Sequence, residues 1–192
     1  MIIIQSILKN FLHISLILKG ELLWLYLLNH IARISLKDLW INIKRKKDEE
    51  YQARKKKIEA NNKKKFNFQG ISLPCYDTED PERLIDLANK NISDIKDNAA
   101  EVMWNDIDND YDCGESSESV KKLDQFFKQY PKYTDLSSQM VVTDGQICDD
   151  GLDLTFKMKC KDPIYPKGRK VYLTVSFDSN DKIEYSGIDI SR

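Results

Sequence analysis

The chain has 192 residues, room for one ordinary domain plus an appendage, and its net charge of -1 conceals two oppositely charged parts. Residues 1–65 carry 15 cations against 6 anions, whereas residues 66–192 carry 15 against 25. Both histidines, His13 and His30, fall in the first part, which excludes imidazole general-base chemistry, Ser-His-Asp triads and HExxH metal sites from the acidic part.

Residues 1–43 are the most hydrophobic stretch, with Ile2-Ile3-Ile4, Leu16-Ile17-Leu18 and Leu22-Leu23-Trp24-Leu25-Tyr26-Leu27-Leu28. The best spanning window, Phe11 to Leu28, holds Lys19 and Glu21 near its middle. Each would cost about 2.5–3.5 kcal/mol at a bilayer centre. Three readings stay open. Residues 1–43 are a membrane anchor, single-pass or lying in the interface with Trp24, Tyr26 and Trp40 as interfacial aromatics, or a helix docked on protein, or an over-extended reading frame.

Residues 44–65 hold 11 cations in 22 positions and read as a charged helix or linker, with Glu50–Arg54 and Glu59–Lys63 as favourable i,i+4 pairs. Lys44, Arg45, Lys46 and Lys47 are the candidate membrane-surface residues. Behind a membrane segment they place the rest of the chain in the cytoplasm. Nucleic acid is disfavoured as a partner, because the attached domain is acidic and lacks a basic, aromatic-studded face.

The acidic domain, residues 66–192, opens with Phe66, Phe68, Ile71 and Leu73, a short strand broken by Gly70. Asp80 then caps a helix with Pro81 at its first position, and Leu84, Leu87, Ala88, Ile92, Ile95, Ala99 and Val102 continue it at three- and four-residue steps. A second amphipathic helix runs from about Ser117 to Tyr130, ended by Pro131. Thereafter the period becomes two. Met140-Val141-Val142 leads into Asp144-Gly145, a hairpin signal. Leu152, Leu154, Phe156, Met158 and Cys160 alternate with polar residues, as do Val171, Leu173, Val175 and Phe177, and Ile183 to Ile188 form a last strand. The fold class is α+β: hydrophobic and basic helices at the N-terminus, then a two-layer domain with two helices on an antiparallel β-meander.

Cys75, Cys113, Cys148 and Cys160 form no CxxC pair, which argues against structural zinc, and no secretion signal precedes them, so they read as reduced thiols in a cytoplasmic domain. The run Asp106, Asp108, Asp110 and Asp112 spaces carboxylates at every second position. Against a calcium loop beginning at Asp106, the sixth position is Tyr111 instead of Gly and the twelfth is Ser117 instead of Glu. The run therefore reads as an acidic inter-helix loop that contacts a basic partner. No phosphate-cradling glycine motif occurs, and the loop from Pro163 to Lys170 reads as a hairpin connection with exposed cations. No catalytic residue, metal ligand or cofactor is expected.

The stretch from Phe66 to Ile190 resembles an uncharacterised family of bacterial domains of unknown function. The resemblance rests on Met103, Trp104, Asn105 and Tyr111 at the end of a helix, Phe126-Phe127 in the next, the Asp144-Gly145 hairpin, Asp150-Gly151-Leu152 and a closing strand near Gly187. That family carries a histidine around its third strand, and Phe156-Lys157-Met158 has none, so no role of that histidine transfers. Small acidic α+β domains of this kind are similar to polymorphic-toxin immunity proteins. The resemblance implies a non-enzymatic binding protein whose partner is a basic toxin domain. A membrane-anchored ligand-binding or accessory domain and a metal-dependent hydrolase are the alternatives.

Overall fold

The computed structural model describes Leu22, residues 36–112 and residues 116–192, with the side chains of Tyr111 and Asp112 set aside. The window Phe11–Leu28, Trp24, Tyr26, both histidines and Cys113 lie outside that description, apart from Leu22. The chain divides into two compact units, residues 1–53 and 54–192. Helix α1 (residues 36–61) contains the division, and its residues 36–53 are all solvent-exposed. Among the described residues no helix is long and apolar enough to cross a membrane.

In the second unit, Asn61 is buried and its side-chain amide donates to the carbonyls of Thr78 (3.2 Å) and Glu79 (3.1 Å). Arg54 pairs with Glu79 and not with Glu50, the partner its spacing predicts. The expected single strand is a hairpin, β1 (Lys65–Phe68) and β2 (Ile71–Pro74), paired antiparallel with Phe66 opposite Leu73. Gln69 and Gly70 both adopt positive φ (50° and 84°), the backbone of a tight turn whose twist matches its strands. Gly70 therefore reverses the chain where the sequence reading took it to interrupt a strand. Beyond β2, Cys75 bridges Ile147 in parallel, and the Tyr76 amide donates to the Ile147 carbonyl at 2.8 Å.

The long helix foreseen from Asp80 to Val102 is two helices, α2 (Pro81–Lys90) and α3 (Ile92–Asp112). Asp80 caps α2 as expected, accepting from the Arg83 amide. Asn91 interrupts the run: its side-chain amide donates to the Leu87 carbonyl (2.8 Å), competing with the helical ladder. Apolar spacing runs unbroken through this point, so periodicity alone conceals the break. On α3, Ile95, Ala99, Met103 and Ile107 recur at four-residue steps, and none has exposed surface. Helix α4 (Ser117–Gln129) starts at the Ser116 cap and buries Leu123 and Phe126. A short α5 (Tyr133–Ser137), not foreseen, adds Leu136 to the core.

Strands β3 (Met140–Ile147), β4 (Gly151–Met158), β5 (Lys170–Phe177) and β6 (Ile183–Ser191) form an antiparallel meander in chain order. Its inner face carries Val142, Ile147, Leu152, Leu154, Phe156, Val171, Leu173, Val175 and Phe177, all buried in one core with the α3 stripe. Each such large side chain contributes about 1.5–3 kcal/mol through burial. Asp144-Gly145 is not the hairpin turn. These residues lie within β3 beside a register shift between Val142 and Asp144, and the chain turns at Cys148–Asp150 instead. A second shift falls between Tyr172 and Thr174 against β6. Such bulges bend strands and increase their twist.

Candidate functional site

The acidic run is not a loop. Residues 106–112 are the last turns of α3, so helical spacing separates the carboxylates. Asp106 and Asp110, four apart, share the buried face, whereas Asp108 points to solvent; the Asp112 side chain lies outside the description. Between Asp106 and Asp110 lies Arg169, a residue of the loop expected to expose cations, and it is 1% exposed. Its Nη1 donates to Asp106 Oδ2 at 2.7 Å, its Nη2 to Asp110, and its Nε to Asp162 Oδ2 at 3.0 Å. The Asp162 Oδ1 accepts from the amides of Ile164 (2.9 Å) and Tyr165 (2.8 Å). Arg192 adds a second guanidinium, donating to Asp106 Oδ1 at 2.6 Å. The Tyr165 ring lies 4.7 Å from the Arg169 guanidinium carbon.

Burial pushes the Asp106 carboxyl up, but the hydrogen bonds and charges of Arg192 and Arg169 outweigh it and hold the group below the ordinary carboxylate range. The same carboxylate raises the pKa of Arg192 further. Asp106 and Asp110 have their charge balanced by guanidinium partners, which reduces the net negative charge they offer to calcium or a basic protein. The cluster ties the β4–β5 connection and the last residue to α3. Sequence reasoning missed Arg169 because nothing local distinguishes it from Lys167 and Lys170; the i,i+4 spacing of Asp106 and Asp110 was the one available signal. Lys44, Arg45, Lys46 and Lys47 are exposed on α1, with Arg45 3.7 Å from Glu49.

A different surface carries the open chemistry. Across the outer face of the sheet, Gln146, Asp153, Thr174 and Ser186 stand opposite one another in one row, and Asp144, Thr155, Tyr172 and Asp189 in the next. One bulge, between Val142 and Asp144, lies beside the second row, and the other, between Tyr172 and Thr174, lies between the two rows; a groove of about 500 Å³ on this face also meets Pro74 and Gly187. Among the described residues that line it there is no Lys, Arg or His. Gly187 has φ +60°, and a Cβ there would sit 2.8 Å from Thr174 Oγ1, so glycine leaves room for that hydroxyl.

Asp153 is fixed from both sides: Gln146 Nε2 donates to Oδ2 (2.8 Å) and Thr174 Oγ1 to Oδ1 (2.8 Å), while the Cys148 thiol donates to Oδ2 at 3.4 Å. Burial alone would raise the Asp153 carboxyl, but those donors bring it below its ordinary value. Burial, reinforced by the Asp153 carboxylate, pushes the Cys148 thiol up to about 11. A thiol so protonated at neutral pH is a poor nucleophile. The groove thus carries a carboxylate held in place by its neighbours, and the thiol behind Asp153 is suppressed as a nucleophile.

A second cavity, of about 360 Å³, lies between α4 and the segment after β4, with Phe126, Tyr130, Cys160 and Ile164 among its walls. Cys75, Cys148 and Cys160 are free thiols, and burial raises Cys160 above its ordinary value. Comparison with protein-family models, with curated proteins and with solved structures returned no match.

Proposed function

We propose that the protein is a non-enzymatic binding protein that grips a basic partner, of the kind that neutralises a toxin domain, through the outer face of its sheet. The supporting observation is the groove itself. It presents Asp144 and Asp153 with fixed hydroxyl and amide groups and one part-exposed aromatic, Tyr172, and has no cation among its described lining residues. Clustered anions steer a cationic partner, and a central tyrosine is a favoured anchor in such contacts. The acidic contact expected at Asp106–Asp112 moves to this face, because Asp106 and Asp110 are neutralised internally. In the same reading, residues 1–43 and the cations Lys44–Lys47 hold the protein at the cytoplasmic face of a membrane.

The test is titration of the purified chain with the basic effector domain encoded beside its gene. Asp144→Lys and Tyr172→Ala should each weaken binding by tenfold or more (about 1.4 kcal/mol per decade), while Asp108→Lys should leave it unchanged. Equal binding by all three variants removes the groove from the account, and no binding by the unaltered chain removes the immunity reading. The smaller cavity beside α4 favours the second reading, a small-ligand or accessory domain. Its test is a thermal-shift search with Phe126→Ala as control.

A further inference from the structure

We infer that helix α1 contacts the membrane along residues 36–47, lying in the interface of an anionic bilayer. This rests on the tether in the proposed function and narrows it to one helix face and one lipid class. Leu36, Leu39, Trp40 and Ile43 follow one another at steps of three, one and three, which sets all four on one side of a helix. They are 64%, 56%, 66% and 47% exposed, respectively. Water meets this apolar stripe, which includes a tryptophan. Lys44 stands one turn beyond Trp40 and Lys47 one turn beyond Ile43, so cations border the stripe directly. Within residues 36–47, Lys37, Lys44, Arg45, Lys46 and Lys47 oppose Asp38 as the one anion. Asp38, Arg45 and Glu49 turn to the far side, where Arg45 and Glu49 pair.

An apolar stripe edged by lysines fits a surface that is greasy within and negative at its rim. An anionic lipid headgroup layer has that profile. Nucleic acid would satisfy the lysines and leave Leu36, Leu39, Trp40 and Ile43 wet. A coiled coil needs apolar seam positions over three or more heptads, and toward the C-terminus Lys46, Lys47 and Glu50 end the seam. The twelve residues span about 18 Å, long enough to lie along a bilayer surface.

The experiment uses the full chain and vesicle flotation, with vesicles of phosphatidylcholine alone and of a two-to-one mixture with phosphatidylglycerol. The unaltered chain should float with the anionic vesicles, far less with the neutral ones, and lose binding as salt rises. Leu39→Glu with Ile43→Glu should abolish flotation. Lys44→Gln, Lys46→Gln and Lys47→Gln together should weaken it on the order of a hundred-fold. All these positions are exposed, and circular dichroism checks that helix content is kept.

Flotation undiminished in the Leu39/Ile43 variant would overturn the inference and move the tether to residues 1–35. Equal binding to both vesicle types, or binding to duplex DNA with none to vesicles, overturns it as well. A chain that binds no vesicles defeats both the inference and the tether. Titration of the groove's partner reports on the other half of the proposal and should not respond to these substitutions.

Discussion

Replacing Arg169 with methionine tests the reasoning behind the buried cluster most directly. In the native chain three carboxylates, Asp106, Asp110 and Asp162, face two guanidinium groups, and Arg169 alone reaches all three. Arg192 compensates Asp106 at 2.6 Å and lies 3.8 Å from Asp110. Asp162, with no exposed side-chain surface, has Arg169 as its only ion-pair partner among the described residues. Arg169→Met fills much of the same volume and strands that carboxylate. Removing one partner of a buried pair costs about 3–5 kcal/mol, a large share of the roughly 5–15 kcal/mol that holds a domain together. Urea unfolding followed by circular dichroism at pH 7 should show the unfolding free energy falling by that amount, as a lower midpoint with little change in the slope. The double variant Asp162→Asn/Arg169→Met should be more stable than Arg169→Met alone. Asparagine keeps an oxygen for the Ile164 and Tyr165 amides and removes the stranded charge. A loss below about 1 kcal/mol for Arg169→Met, or a double variant weaker than the single, would refute the argument.

Because the Asp106 carboxyl is held below its unfolded value of about 3.9, its contribution is present above that pH and is lost as pH falls through the folded value. Unfolding measured between neutral pH and the acid limit should therefore show a flatter acid limb for Asp106→Asn than for the unaltered chain. Gly151→Ala and Gly70→Ala should separate crowding from backbone strain. A Cβ at Gly151 would fall 2.0 Å from the Val175 carbonyl oxygen, whereas one at Gly70 meets open space at φ +84°. Calorimetry should show a cost of about 1–3 kcal/mol or more for the first and about 1–2 kcal/mol for the second. Cys148, held protonated up to about 11, should alkylate slowly at pH 8, and Asp153→Asn should accelerate it, as peptide mass spectrometry can follow. Unchanged labelling in that variant would separate the thiol from Asp153.

Much of the architecture was written locally. The Asp80 and Pro81 start of α2, the Ser117 helix and the alternating strands Leu152–Phe156 and Val171–Phe177 rest on caps and periodicity within a few residues. So did the α+β class, and so did the two-sided sheet. What local pattern misjudged was punctuation: Gly70 as a break, Asn91 as mid-helix, Asp144-Gly145 as a turn. In each case a hydrogen bond or a neighbouring strand decides between conformations of similar local energy.

The candidate site was less legible. The carboxylates at 106, 108, 110 and 112 suggested one acidic surface, but the helix turns Asp108 away from Asp106 and Asp110. The partner that neutralises Asp106 lies 63 positions away in a loop with no marker of its own. The groove depends on which residues face one another across four strands, and a one-residue register shift would send every such side chain to the other face. Composition and period, which the sequence holds by itself, settled most of the helical and extended segments and which of their faces are apolar. Only the assembled sheet and α3 decided which charges are cancelled inside and which remain for a partner, because that depends on contacts between residues far apart in the chain.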